Sequence, residues 1–159
     1  MNTVHSLVYQ PGPSEHTPPY RYNRVAANCI TLRAGHGIEG DHKAGRNPQR
    51  QLNIMSLDHL RALEAEGWQV GPGQLGEQIV LSGVDVAALP PGSRLQLGDS
   101  AVVEVHKLRT GCDWLALIQG KNPADAAGRL GVMASVVASG PVCAGAPVAV
   151  LLSAEQAEA

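Results

Sequence analysis

Glycine and proline punctuate this chain so often that no long regular element fits between them. There are 18 Gly and 11 Pro in 159 residues. Turns must be frequent, and the apolar stretches between them are short. Several stretches alternate polar and apolar residues. Examples are Arg50-Gln51-Leu52-Asn53-Ile54-Met55, and Arg94-Leu95-Gln96-Leu97 ahead of a Gly98-Asp99 turn and a returning run from Ala101. Period-two alternation bounded by turn signals reads as half-buried strands and hairpins. The chain has no Phe and 3% aromatic residues, so its core must be built from Val, Leu, Ile and Ala. Together these features predict a mainly β fold, a small barrel or sandwich.

The pattern predicts strands at 4–9, 25–32, 50–55, 75–81, 94–97, 101–107, 131–137 and 146–152. Helices are expected at 57–66, 114–119 and 123–127. In the first, Ser56 is the N-cap, Leu57, Leu60 and Leu63 mark one face, and Gly67 is the stop, with Trp68 anchoring the end. Asp58, Arg61, Glu64 and Glu66 read as its solvated face. Asn122-Pro123 supplies a cap followed by proline at the first helical position. The segment from Pro11 to Pro19 holds four prolines and one glycine and reads as an ordinary exposed connection.

At 44% hydrophobic residues the chain can bury a real core, and its length suits one domain over 1–159, with a fraying Ala/Glu-rich tail at 153–159. No apolar run reaches the ~18–20 residues of a membrane helix. The first residues do not read as a secretory signal. Cys29, Cys112 and Cys143 are an odd number for a disulfide framework and lack the paired short spacing of a zinc site. Cys29 falls within a predicted strand, where packing is the expected role, and Cys143 in a turn, where it reads as incidental. A reduced, cytoplasmic protein is the simplest expectation. The formal net charge of −2 argues against a general nucleic-acid binder.

The stretch with most chemistry is Leu108-Arg109-Thr110-Gly111-Cys112-Asp113, between a predicted strand and a predicted helix. Helix-start N–H groups and the Arg109 charge would favour the Cys112 thiolate, a soft nucleophile, sulfur acceptor or metal ligand. The bland alternative is a buried core cysteine. A second candidate is the segment from Gly35 to Pro48, with four glycines in eleven residues followed by His42, Lys43, Arg46 and Arg50. It would suit an anion, but it matches neither the P-loop nor the dinucleotide fingerprint. Physics alone reads it as a flexible turn with solvated charges, and Glu77 as structural.

Taken together, these residues resemble the MOSC domain, the family named for the C-terminal region of molybdenum cofactor sulfurases. The landmarks, in order, are Gly37-Ile-Glu-Gly40-Asp41-His42, Arg50-Gln51-Leu52, Leu75-Gly76-Glu77, and the run from Ser82-Gly-Val-Asp85 through Leu89-Pro-Pro-Gly92 and Leu97-Gly98-Asp99 to Arg109-Thr110-Gly111-Cys112. Gly128-Arg129-Leu130-Gly131-Val132-Met133-Ala134 follows. The resemblance implies a closed or partly open β-barrel with about three short flanking helices, and Cys112 as the family's characteristic cysteine. One departure is Gly111, where many members carry proline; glycine would loosen the turn that aims the thiol.

The resemblance also implies association with the molybdenum cofactor (molybdopterin). In one reading, Cys112 ligates molybdenum and the site reduces small N-hydroxylated compounds with electrons from an external donor. Asp41 and His42 then serve cofactor or substrate. Gly40, Lys43, Arg46, Arg50, Gln51, Gly76, Glu77, Arg109 and Thr110 form the cofactor pocket. In a second reading Cys112 carries sulfane sulfur as a persulfide. Pyridoxal phosphate would then sit on a partner cysteine desulfurase, since Lys43, Lys107 and Lys121 lie in turn or strand-end settings unlike a Schiff-base lysine. A third reading is a non-catalytic barrel that binds an anion or a protein.

Overall fold

In the computed structural model, which describes residues 1–151, eleven short strands carry the chain, as the density of turns requires. They are β1 (Thr3–Tyr9), β2 (Val25–Ala27), β3 (Cys29–Arg33), β4 (Gly37–Ile38), β5 (Leu52–Ser56), β6 (Ile79–Ser82), β7 (Arg94–Leu97), β8 (Ala101–Leu108), β9 (Val132–Ala138), β10 (Gly140–Cys143) and β11 (Val148–Leu151). Two α-helices join them, α1 (Leu57–Ala65) and α2 (Asp113–Gln119). The expected third helix is a single 3-10 turn, Pro123–Ala126, capped by the Asn122 side chain. The predicted frayed tail lies outside the described residues.

Eight strands form one sheet in the order β11-β7-β8-β9-β5-β6-β1-β2, and β10-β3-β4 form a second. All pairings are antiparallel except β5 with β6. That one parallel pair follows from α1, which returns the chain to the same end of the sheet. The sheet is mainly β as expected but is not closed into a barrel. A lone bridge from Thr3 to Pro147 ties the approach to β11 to the start of β1.

Two apolar cores result, and the central strands divide their side chains between them. Leu52 and Ile54 of β5, with Ile79 and Leu81 of β6, enter the core between the sheets. Met55 and Val80 point the other way, into a core roofed by Leu57 and Leu63 of α1, Trp68 and Leu115 of α2. Period two thus serves two cores at once, which is why Ile79-Val80-Leu81 is continuously apolar.

Three expectations need correction. The strand predicted at 25–32 breaks at Asn28 into β2 and β3, which belong to different sheets. The turn expected at 140–145 contains β10, an edge strand that tolerates Pro141 because one of its sides faces no neighbour. Cys29 and Cys143 are neither packed nor incidental: they lie opposite one another on β3 and β10 and form a disulfide. The pairing spans 114 residues and depends on sheet register alone.

Ser56 stands at the N-cap of α1, but its hydroxyl does not cap the helix. Instead Ser56 Oγ donates to the Val84 carbonyl at 2.7 Å and accepts from the Val86 N–H at 2.9 Å. Ser56→Ala would leave both main-chain groups unpaired in a buried place. The expected loss is about 1–3 kcal/mol, read as a lower urea midpoint at unchanged slope. A loss below about 0.5 kcal/mol would mean that water replaces the hydroxyl.

Candidate functional site

The thiol is delivered by β8. A register shift against β9 between Val105 and Lys107 re-aims the strand end. The Arg109 N–H then donates to the Gly131 carbonyl at 2.9 Å, holding the chain to the start of β9 for one more residue. Cys112 follows as the N-cap of α2, in extended conformation, its carbonyl accepting from the Ala116 N–H. The strand-to-helix junction read from sequence is therefore present, and the Cys112 thiol is exposed rather than buried in a core. Gly111 is not a loose joint: a Cβ there would fall onto the Pro123 ring, with Pro123 Cα and Cγ at 3.3 Å. Proline in the following 3-10 turn braces the turn from outside.

Around the thiol lies a cleft of about 530 Å³. Six cationic side chains line it: Arg24, Lys43, Arg46, Arg50, Lys107 and Arg109. They are half of the twelve Lys and Arg residues of a chain whose net charge is −2. No carboxylate lines it among the described residues. Opposite charges elsewhere do not cancel such a field locally, because the cleft walls focus it. A second depression of about 250 Å³ continues past Arg46 and Arg50 to Gln51 and Gln78.

One wall comes from the segment that reads as an ordinary connection. Pro13, Ser14 and His16 line the cleft together with Tyr22 and Arg24. His16, Tyr20 and Tyr22 gather around Trp114 of α2, with ring centroids 4.6, 5.7 and 6.3 Å away. Three of the chain's five Trp and Tyr residues thus meet beside Cys112. In a chain so poor in aromatics, two tyrosines just after a proline-rich loop were the available signal. Arg24 lies over the Tyr22 ring at 4.8 Å and Lys43 approaches it at 5.5 Å, both within cation–π range.

The two buried arginines are set by one turn. Glu77 accepts the Gly73 and Leu75 N–H groups at 2.9 and 3.1 Å, folding the turn so that its carbonyls face the cleft. Arg24 Nη1 donates to the carbonyls of Gly76 and Glu77, and Arg109 Nη1 to that of Leu75. Burial pushes the Glu77 carboxyl up, offset in part by those N–H groups and by Arg24. Glu77 and Gly76 therefore touch the cleft's arginines rather than line the cleft.

The other residues singled out from sequence divide in the same way. Cys112, His42, Lys43, Arg46, Arg50, Arg109 and Thr110 converge on the cleft. Gln51 lines the smaller depression but spends Oε1 on the Val136 N–H at 2.9 Å. Asp41 is buried behind the wall, accepting from the Gln10 N–H at 2.7 Å and from the Lys43 N–H and Gln78 Nε2. Gly40 is in the adjacent turn at φ +85°. The glycine-rich segment is thus a fixed wall, with His42 Nε2 3.2 Å from Arg46 Nη2.

Partial burial, aided by the Arg24 guanidinium, pulls the Lys43 ammonium below its ordinary value, with Asp41 opposing. A lysine with a lowered pKa loses its charge at a lower pH than usual. Affinity of the cleft for anions should therefore fall as pH rises, beginning below the ordinary lysine range. Calorimetric titration with pyrophosphate from about pH 7 to about pH 10 tests this. Lys43→Arg, which stays charged, should hold its affinity where the wild type loses it. Parallel curves would place anion binding away from Lys43.

The site is thus an exposed thiol at the edge of a cationic cleft, carried on a strand-rich scaffold. The chain belongs to the MOSC domain family, whose profile matches residues 41–149. Among solved structures, it superposes on the YUAD protein of Bacillus subtilis with a TM-score of 0.73 at 21% identity, covering 93% of this chain and 94% of that one. YiiM of Geobacillus stearothermophilus gives 0.70 at 17% identity, over 96% and 76%. YiiM of Escherichia coli gives 0.68 at 21%, over 96% and 70%. At these identities the likeness is one of fold. No curated protein matches the sequence.

Proposed function

We propose that this chain is a molybdenum-cofactor protein in which Cys112 is the protein's ligand to the metal, and that it reduces N-hydroxylated compounds. The observation that carries the reading is the exposed Cys112 thiol in a cleft lined by six cations and no carboxylate. The donor set fits the group. Among the described residues no three His, Cys, Asp or Glu side chains converge as a metal cluster, so a single soft thiolate would complete the coordination of a metal that arrives with its own sulfur ligands. Lys43, Arg46, Arg50 and Lys107 would hold the phosphate, arginine by bidentate contact. When bound, the cofactor supplies two-electron reduction at the N–O bond. Trp114, Tyr22 and His16 offer flat faces for a planar ring beside the sulfur, and His42 and Lys43 can hold protons at Nε2 and Nζ. Electrons would come from an external donor.

A second reading is favoured by the pairing of Cys29 with Cys143. It leaves Cys112 with no neighbouring thiol to resolve it, as suits a carrier that receives sulfane sulfur from a partner desulfurase and keeps it as a persulfide.

Metal analysis with native mass spectrometry separates the two, on protein from a host competent for the cofactor. The reductase reading expects molybdenum and pterin in stoichiometric amount, absent in Cys112→Ala, with turnover of N-hydroxylated bases or amidoximes lost alongside. Cys112→Ala should change stability by less than about 0.5 kcal/mol, because the side chain is exposed. Metal-free wild type would end that reading; one removable sulfur on Cys112 would support the carrier.

A further inference from the structure

We propose that the cleft takes a small dianionic sulfur donor of the thiosulfate class, and that Cys112 accepts its sulfane sulfur without a protein donor. The inference rests on the sulfur-acceptor reading of Cys112 and not on the molybdenum one.

Three observations carry it. The thiol is accessible, so its sulfur can act as nucleophile. Six cationic side chains line the approach to it, with no carboxylate among the described residues to repel a dianion. The two innermost arginines are pre-organised, each more than nine-tenths buried with Nη1 committed to main-chain carbonyls. Arg24 Nη2 makes no hydrogen bond among the described residues and remains available to a ligand. A thiol meant to meet a large protein donor gains little from so much charge at the base of a cleft. A donor that is itself a compact dianion gains steering, a seat and stabilisation of its leaving group from it.

The chemistry balances without any further reagent. The Cys112 thiolate attacks the outer sulfur of thiosulfate, and a new S–S bond forms. The S–S bond of thiosulfate breaks, and its electron pair leaves with sulfite. The thiol proton has gone to solvent before attack. No external oxidant is needed, since the sulfane sulfur moves between two sulfur partners. Leaving sulfite carries two negative charges, so Lys43, Arg46 and Arg109 stabilise the departing group as charge builds on it. The persulfide then persists, because the other two cysteines are bound to each other on β3 and β10 and do not line the cleft.

The test uses cofactor-free protein incubated with thiosulfate. Sulfite release is measured, and intact mass with peptide mapping locates any added sulfur. The expected result is one sulfur on Cys112 and one sulfite per chain, none in Cys112→Ser, and thiocyanate on adding cyanide to the sulfurated protein. The double variant Lys43→Gln/Arg46→Gln should slow sulfuration about tenfold or more. Alkylation by neutral iodoacetamide across pH gives the thiolate fraction in each protein, and the sulfuration rates are compared at equal thiolate fraction. Absence of sulfur on Cys112, or equal rates in the charge variant, overturns the proposal. A parallel arm supplies cysteine and a desulfurase. Sulfuration there but not with thiosulfate sinks the small-donor proposal and leaves the acceptor reading intact; failure of both sinks both.

Discussion

Replacing Gly131 by alanine is expected to destabilise the protein by about 3–5 kcal/mol, combining left-handed backbone strain with forced displacement of a strand. Gly131 has φ +84°, and a Cβ there would run into the carbonyl of Ile54, with the Ile54 carbonyl carbon at 2.8 Å and Met55 Cγ at 2.9 Å. The obstacle is main chain at the buried Ile54 of the central strand β5, so no rotamer change relieves it. The damage should reach the site, because the Gly131 carbonyl holds the Arg109 N–H. Urea unfolding gives the stability, and the rate of Cys112 alkylation reports on the loop. A loss under about 1 kcal/mol would show that β5 and β9 can separate without penalty.

Gly76→Ala should act differently, hitting the cleft harder than the fold. Gly76 also has positive φ, +79°, at a cost of about 1–2 kcal/mol for alanine. Its new Cβ would overlap the Arg109 guanidinium, with Arg109 Cζ at 3.0 Å and the Tyr22 hydroxyl at 3.1 Å. Both are side-chain ends and can swing away, so the fold should survive. Arg109 would then lose the Leu75 carbonyl that orients it. Pyrophosphate affinity is expected to fall about tenfold or more, corresponding to ~1.4 kcal/mol. Unchanged affinity in a folded variant would remove Arg109 from the anion seat.

These two glycines show where sequence reasoning stops. Gly131 and Gly76 look like any other turn glycines in a chain that has 18. What makes them irreplaceable is a carbonyl from β5 in one case and a guanidinium 33 positions away in the other. Glu77 is similar. Read alone it is a single acid without a partner; in space its carboxylate takes the Gly73 and Leu75 N–H groups and bends a turn whose carbonyls aim two arginines. Asp41 reads by resemblance as catalytic, yet its carboxylate oxygens accept from Gln10, Lys43 and Gln78.

By itself the sequence determined whatever a few neighbouring residues decide. Alternation placed β5, β7 and β8, the Leu57-Leu60-Leu63 spacing placed α1, and the junction before Asp113 put Cys112 at a helix start. These are short-range consequences of side-chain period and turn chemistry, and they hold wherever the chain goes next. Only the tertiary structure decided which residues share the cleft. Tyr22 and Arg24 reach Cys112 because the loop between the paired strands β1 and β2 packs against Trp114 of α2. Cys29 meets Cys143 because β3 and β10 align residue for residue. Such contacts depend on sheet order and register, and the pattern within any one strand is compatible with several of them.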